Sequence, residues 1–334
     1  MKESRCGFIC PDCRSSVEER DRAFGCTRCG REYAILFGIP DFRLQGDRYL
    51  SLEEERAKAA RLHEFARAHD FKQLLSFYYS ITDDVPAHLE KAFIDYVLTG
   101  PARAMPALSA LAPDGGRWLL DLGCGSGGAL LAASAMFEQR TGVDIALRWL
   151  VIAQKRFEEC GVKTALVCAD AEALPFAAES FSHVLASDLL EHTRSPAASI
   201  RSAGSVLAQE GRLYVSSSNG RWIGPHPATG VWAAGLMPPA LRASYLKRRH
   251  GVDILRAVSF VSAGSLRRMA RAAGLREVGA GPLRPEMKQL AGRSRLFRLL
   301  ARSYSMLATM PLLRTVLLHA GPVFQIIFVK ERST

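Results

Sequence analysis

Two cysteine pairs open the chain, Cys10 with Cys13 and Cys26 with Cys29. Thiolates bind zinc tetrahedrally, and each CxxC turn presents two of them on one knuckle. Two knuckles at this spacing predict a four-thiolate structural zinc site, with the charged stretch RSSVEERDRAFG between them as a short hairpin. A redox CxxC would need the start of a helix in a βαβ setting, which is absent. Cys6 is a fifth thiol and reads as a spare. Further on, the acids Asp121, Asp144, Asp170 and Asp188 each follow an apolar run or sit near its end. A carboxylate at the end of a strand can accept hydrogen bonds from ribose hydroxyls or from an adenine amino group.

The elements that position these acids follow from the pattern. In WLLDLGCGSGGALLAASA, a strand over 118–122 runs into Gly123, Gly125, Gly127 and Gly128, and a small-residue helix follows over 128–138. RTGVDIA predicts a second strand ending in Asp144. ALVCADAEALPF predicts a third ending in Asp170. FSHVLASDLLEH predicts a fourth over 182–187, and GRLYVSSSN a fifth. Helices fit at 146–160 and 196–208, a further helix at 263–274, a sixth strand at 276–282, and an antiparallel seventh in PVFQIIFVKE. The alternation predicts an α/β, doubly wound seven-stranded Rossmann-like sheet, with ligands at the carboxyl ends of its strands.

Two resemblances sharpen this. CTRCGREYAILFGIPDF resembles the zinc-ribbon activator subunit of methyltransferases over roughly residues 6–44, with Ala34 where that family has proline. It implies a brace or recognition module. DLGCGSG, GVDIA, ADAEALPF and SDLLEH, in that order, resemble the class I S-adenosylmethionine-dependent methyltransferases from about residue 75 to 330. That resemblance implies that Asp121 with Gly123, Gly125, Ser126 and Gly127 lines the methionine part of the donor. Asp144 with Ile145 would hold the ribose, and Asp170 with Ala171 the adenine. Asp188 and Leu189 would close the methyl-donor side. His192 is the candidate general base, because attack by a hydroxyl needs proton removal, and Glu191 is the second catalytic candidate. The expected division is a zinc ribbon over 1–46, a helical cap over 47–110, and a methyltransferase domain over 111–334 with a lid at 220–252 and a basic helical insertion at 284–321. Phe77, Tyr78 and Tyr79 are placed near the entrance by family analogy, or else in the core. The lid carries Trp222, His226 and Trp232.

Composition bounds the rest. The 334 residues are 48% hydrophobic, enough for a sizeable core. The start, MKESRCGFICPDC, has no apolar h-region, so no signal peptide is expected. The apolar tail is interrupted by Pro311, Arg314, His319 and Pro322, so no membrane span is expected. Five of the eight cysteines fall in the first thirty residues, while Cys124, Cys160 and Cys168 read as buried, which suits a reducing cytoplasm. The net charge of +11 belongs to one late segment: residues 240–302 carry 15 Lys and Arg against three acids. Within it, Arg295, Arg298 and Arg302 share one helical face, and Leu296, Leu299 and Leu300 another. This stripe either packs on the domain, docks at an anionic membrane on the cytoplasmic side, or covers a greasy substrate. The function expected is O-methylation of a small-molecule or lipid-linked acceptor by direct in-line transfer from S-adenosylmethionine. The alternative is RNA methylation with the ribbon and basic segment gripping the nucleic acid, although an NPPY-type motif and a basic-aromatic RNA module are missing. A catalytically silent scaffold comes third.

Overall fold

A computed structural model describes residues 7–82, 89–250, 258–285 and 294–332. Cys6 and parts of the expected lid and basic insertion therefore lie outside the described residues. The first sheet holds β1 (Val17–Arg20), β2 (Ala23–Cys26), β3 (Glu32–Leu36) and β4 (Ile39–Pro40) in that order. Arg20 pairs with Ala23 across a two-residue hairpin, so the charged stretch between the knuckles folds as expected. Polar β1 faces water, while Phe24 and Tyr33 turn inward onto Phe42, with Phe8 closing the aromatic cluster.

The second sheet is mixed and seven-stranded. Its strands are β5 (Gly116–Leu122), β6 (Phe137–Asp144), β7 (Ala165–Cys168), β8 (Phe181–Ser187), β9 (Leu207–Ser218), β10 (Leu275–Pro282) and β11 (Val323–Lys330). Their order is β10-β11-β9-β8-β5-β6-β7. β5 runs parallel to β6 and β8, β6 runs parallel to β7, and β11 runs antiparallel to β10. The chain winds from β5 through β6 to β7 and then returns to β8 on the other side of β5. That reversal makes the carboxyl end of β5 a topological switch point.

The chain divides into two compact units. Unit 1 is Met1–Leu185 with Ser205–Arg212; it holds the four-stranded first sheet, strands β5 to β7 and the helices before them. Those helices are α1 (Leu52–Ala66), α2 (Phe71–Ser80), α3 (Glu90–Leu98) and α4 (Gly100–Leu111). Ser51 and Glu54 form a reciprocal capping box at the start of α1, and Asp70 and Gln73 do the same for α2. Tyr78 and Tyr79 are buried, Tyr78 against Trp149, which fits the core alternative. The helix after β5 is shorter than expected. α5 spans only Gly128–Ala132, a 3-10 turn ends at Ala135, and β6 has already begun at Phe137. Phe137 is buried and pairs with Gly116, so strand pairing overrides the helix preference of the alanines. α6 (Leu147–Cys160) buries Leu147, Leu150, Val151 and Phe157 along one stripe and stops at left-handed Gly161. Cys160, expected inside, sits on the last turn of α6 and is exposed. Cys124 and Cys168 are buried as expected.

Unit 2 is Ala186–Gly204 with Leu213–Thr334. It holds a 3-10 turn at Leu190–His192, α8 (Pro239–His250), α9 (Ala263–Ala272), β10, β11, and the helices α10 (Arg295–Leu307) and α11 (Pro311–Ala320). α7 (Pro196–Val206) and β9 run through both units; β9 begins four residues earlier than the sequence suggests. In the expected lid, Val231, Ala234 and Leu246 form a small core with Met237 and Phe260 packed on it. No helix among the described residues is long and apolar enough to cross a membrane.

Candidate active site

In unit 1 the glycine turn after β5 is tied to the end of β6. The amides of Gly123 and Cys124 both donate to the Val143 carbonyl. The Gly125 amide donates to Asp144 Oδ2 at 2.9 Å, and the Ala146 amide to Oδ1 at 2.8 Å. Each carboxylate oxygen keeps acceptor capacity beyond its amide, which suits two neighbouring hydroxyls. Gly125 and Gly127 both adopt left-handed backbone, at φ +49° and +73°. A Cβ on Gly127 would stand 2.4 Å from the Phe157 ring, whereas a Cβ on Gly125 would meet nothing within 4 Å. The turn is therefore packed on its underside and open above Gly125. Arg156 clamps it from below, donating to the Ser126 carbonyl at 3.1 Å, to Ser126 Oγ at 3.3 Å and to the Val97 carbonyl at 2.6 Å.

Asp170 follows β7. Its Oδ1 accepts from the Glu172 amide at 2.9 Å and its Oδ2 from Gln45 Nε2 at 3.2 Å. Ala171 beside it is buried. The Ala169 amide donates to the Asp144 carbonyl, so the two acid-bearing strand ends are stitched together. Asp121, at the end of β5, is buried, and burial together with the Asp144 charge pushes its carboxyl up to about 7. Burial also raises Asp144, against the pull of the Ala146 and Gly125 amides.

Several residues that shape this site carry no sequence motif. Arg43 pairs with buried Asp41, Nε at 2.7 Å, and donates Nη1 to the Ile145 carbonyl at 3.1 Å. Arg148 pairs with Asp47 at 2.9 Å and with buried Glu55. The first sheet is joined to the second as well. Asp41 bridges to Cys168 in parallel, the Phe42 amide donates to the Cys168 carbonyl at 2.7 Å, and Arg14 donates to the carbonyls of Leu174 and Phe176.

The sulfurs of Cys10, Cys13, Cys26 and Cys29 lie within 4.8 Å of one another. Cys10 and Cys29 are 3.7 Å apart, and Cys13 and Cys26 3.4 Å. Tetrahedral zinc with Zn–S bonds of about 2.3 Å needs sulfurs about 3.8 Å apart, so this donor set fits zinc. Backbone amides point at the sulfurs too: Cys13 to Cys10, and both Arg28 and Cys29 to Cys26. Such bonds favour thiolates.

In unit 2, Asp188 has left-handed backbone at φ +52°; its amide donates to the Ser216 carbonyl, and its Oδ1 accepts from Ser216 Oγ at 3.4 Å. Leu189 leads into the 3-10 turn. Glu191 is buried and accepts from Ser217 Oγ at 2.7 Å, Ser218 Oγ at 2.8 Å and the Ser218 amide at 3.1 Å. With both oxygens engaged, it pins the turn to β9. His192 is exposed on the same turn. His226 is buried; its Nδ1 accepts from the Ala228 amide at 3.3 Å, which leaves the proton on Nε2. That Nε2 has no hydrogen-bond partner among the described residues. Burial lowers the His226 pKa, with the Glu191 charge opposing it.

Residues 120–215 match the family model for a methyltransferase domain. Over 110 residues the chain is 34% identical to the ubiquinone biosynthesis O-methyltransferase of Azorhizobium caulinodans, covering 33% of this chain and 44% of that protein. The protein of the same name from Xanthomonas axonopodis pv. citri is 34% identical over 122 residues, 36% of this chain and 50% of its own. The chain thus spans about half the length of the curated relatives it matches. Among solved structures, phosphoethanolamine N-methyltransferase 2 of Haemonchus contortus with S-adenosyl-L-methionine superposes at a TM-score of 0.47 and 17% identity, over 69% of this chain and 53% of that one. Residues 120–215 thus carry a methyltransferase domain.

Proposed function

We propose that the protein transfers a methyl group from S-adenosylmethionine to a hydroxyl of a small-molecule or lipid-linked acceptor. The observation that carries the donor assignment is the open turn above Gly125 beside the Asp144 carboxylate, whose two oxygens hold one amide each. Asp144 would hold the ribose hydroxyls with Ile145 beside them, and Asp170 with Ala171 the adenine. Asp121 with the turn from Gly123 to Gly127 would hold the methionine part, with Asp188 and Leu189 at the methyl side. The donor supplies an electrophilic methyl on sulfonium. This chain's residues bind and orient it, and a base takes the acceptor's proton.

The names of the curated relatives support transfer to oxygen. His192 is the proposed base, being exposed where an acceptor can reach it. The buried Nε2–H of His226 is a second polar group suited to positioning an acceptor oxygen. The four cysteines would hold one structural zinc, with no open position for catalysis. The comparisons lend no support to RNA as acceptor.

The test is methyl transfer from labelled donor to a panel of phenolic and alcoholic acceptors, with donor affinity followed by calorimetry. Turnover that falls about 10²–10⁴-fold in both His192→Ala and His192→Gln, with donor affinity intact, supports the base. Wild-type turnover in both leaves His192 without a chemical role. Donor binding without transfer to any hydroxyl, alongside transfer to RNA, refutes the acceptor class.

A further inference from the structure

The leucines of α10 are expected on sequence grounds to pack on the domain, dock at a membrane or cover a substrate. In the structure they face water: Leu296, Leu299 and Leu300 are 60–66% exposed, Met306 is 71% exposed and, on α11, Leu312 is 78% and Val316 51% exposed. On α10 the buried residue is Ala301, with Ala308 buried at its C-cap, while α11 buries Leu318. α10 therefore turns its bulky apolar arc outward and its alanines inward, the reverse of a helix that packs on its own core. An exposed apolar face of this kind marks an interaction surface.

Its charge says what would cover it. Residues 294–320 contain Arg295, Arg298, Arg302 and Arg314 and no Asp or Glu. Arg295, Arg302 and Arg314 are exposed. On a helix of 3.6 residues per turn, Arg295, Arg298 and Arg302 fall along one flank of the leucine arc. Apolar side chains bordered by long cations match the boundary between acyl chains and anionic headgroups. A second copy of the chain matches poorly. A two-fold contact through this face would bring arginines against arginines, with no carboxylate from 294–320 to pair them. At 13 and 10 residues, α10 and α11 are about 20 Å and 15 Å long, too short to span a bilayer of about 30 Å. They can only lie in its surface.

We propose that the exposed apolar faces of α10 and α11 are a peripheral docking surface for an anionic phospholipid bilayer, with the leucines entering the acyl boundary and the arginines on headgroup phosphates. The inference does not depend on the reaction proposed above and is tested without it.

Full-length protein is mixed with vesicles of phosphatidylcholine alone, or of phosphatidylcholine with about 30% phosphatidylglycerol, and sedimented at rising salt. Binding should favour the anionic vesicles by at least tenfold, since each surface arginine contributes roughly fivefold in partition, and should weaken with salt. Leu296→Glu/Leu299→Glu/Leu300→Glu should abolish it, while donor binding in calorimetry reports an intact fold. Arg295→Gln/Arg298→Gln/Arg302→Gln should erase the preference for anionic lipid. In Leu299→Trp, indole emission should shift to the blue on adding anionic vesicles and stay unshifted with neutral ones. Equal binding of wild type and the triple-glutamate variant, or no binding to anionic vesicles at all, overturns the proposal. So does a concentration-dependent dimer that the glutamates dissolve, because the face would then be covered by a second copy.

Discussion

Asp121 makes a quantitative test of the donor site. Its folded pKa is raised from 3.8 to about 7, chiefly by burial and then by the Asp144 charge. Between those two values the unfolded chain has released the proton and the folded chain still holds it. The native state then binds more protons, so stability falls as pH rises through this window and levels off above about 7. A gap of about three units corresponds to about 4 kcal/mol once both states are ionised. Roughly half of that is already lost by about pH 5.5, which leaves about 2 kcal/mol between pH 5.5 and pH 8. Asp121→Asn keeps the shape and removes the titration. Burying an amide has its own cost, but that cost does not change with pH, so the informative quantity is the difference of differences. Urea unfolding at the two pH values should show the wild type losing about 2 kcal/mol more than the variant. Saturating S-adenosylmethionine, a cation at sulfur and at its amino group, should shrink that excess if it sits near the carboxylate. Parallel pH profiles for the two proteins would refute the reasoning, because Asp121 would then ionise in the fold as it does in water.

Other expectations are simpler to read. Purified protein should contain about one zinc per chain, released on titrating four thiols with a mercurial; a metal-free protein with four freely titratable thiols at these positions would count against the cysteine assignment. Asp144→Ala should weaken donor binding by about 1–3 kcal/mol in calorimetry, since two ribose hydroxyls lose a charged partner; unchanged affinity would remove Asp144 from the site. Arg43→Ala should destabilise the fold by about 3–5 kcal/mol, because it strands the buried Asp41 carboxylate and frees the Ile145 carbonyl; a change below about 1 kcal/mol in urea unfolding would show that Arg56, 3.2 Å from Asp41, suffices alone.

What the sequence revealed and what it hid divide along a physical line. The strand-end placement of Asp144 and Asp170 was legible because short apolar runs lead into them, and a strand end fixes where the next side chain emerges. The cysteine cluster was legible because CxxC is a local geometry. The short α5 was not: the run of alanines after Gly128 favours helix, and only the pairing of Phe137 with Gly116 across the sheet ends it. Gln45 on Asp170, Arg43 on the Ile145 carbonyl and Arg148 on Glu55 join positions about a hundred residues apart, and nothing local distinguishes those side chains from solvated ones. The leucine stripe of α10 shows the opposite limit. Periodicity identifies an apolar face but not which side of it meets the protein.

The cysteine clip, which looks like an appendage in the sequence, leads straight into residues that contact the strand ends bearing Asp144 and Asp170. β4 runs directly into Asp41 and Phe42, which lie along Cys168 at the end of β7. The next residues, Arg43 and Gln45, reach the Ile145 carbonyl and the Asp170 carboxylate, and Asp47 reaches Arg148 on the helix that follows Asp144. The segment leaving the ribbon thus contacts both acid-bearing strand ends, and its path is set by a fold of some forty residues, too small to bury an adequate core alone. A four-thiolate metal is a common way to hold so small a fold rigid. Rigidity there would be felt as order at Asp144 and Asp170, so in the proposed reading the clip would act as a brace without touching the reacting atoms.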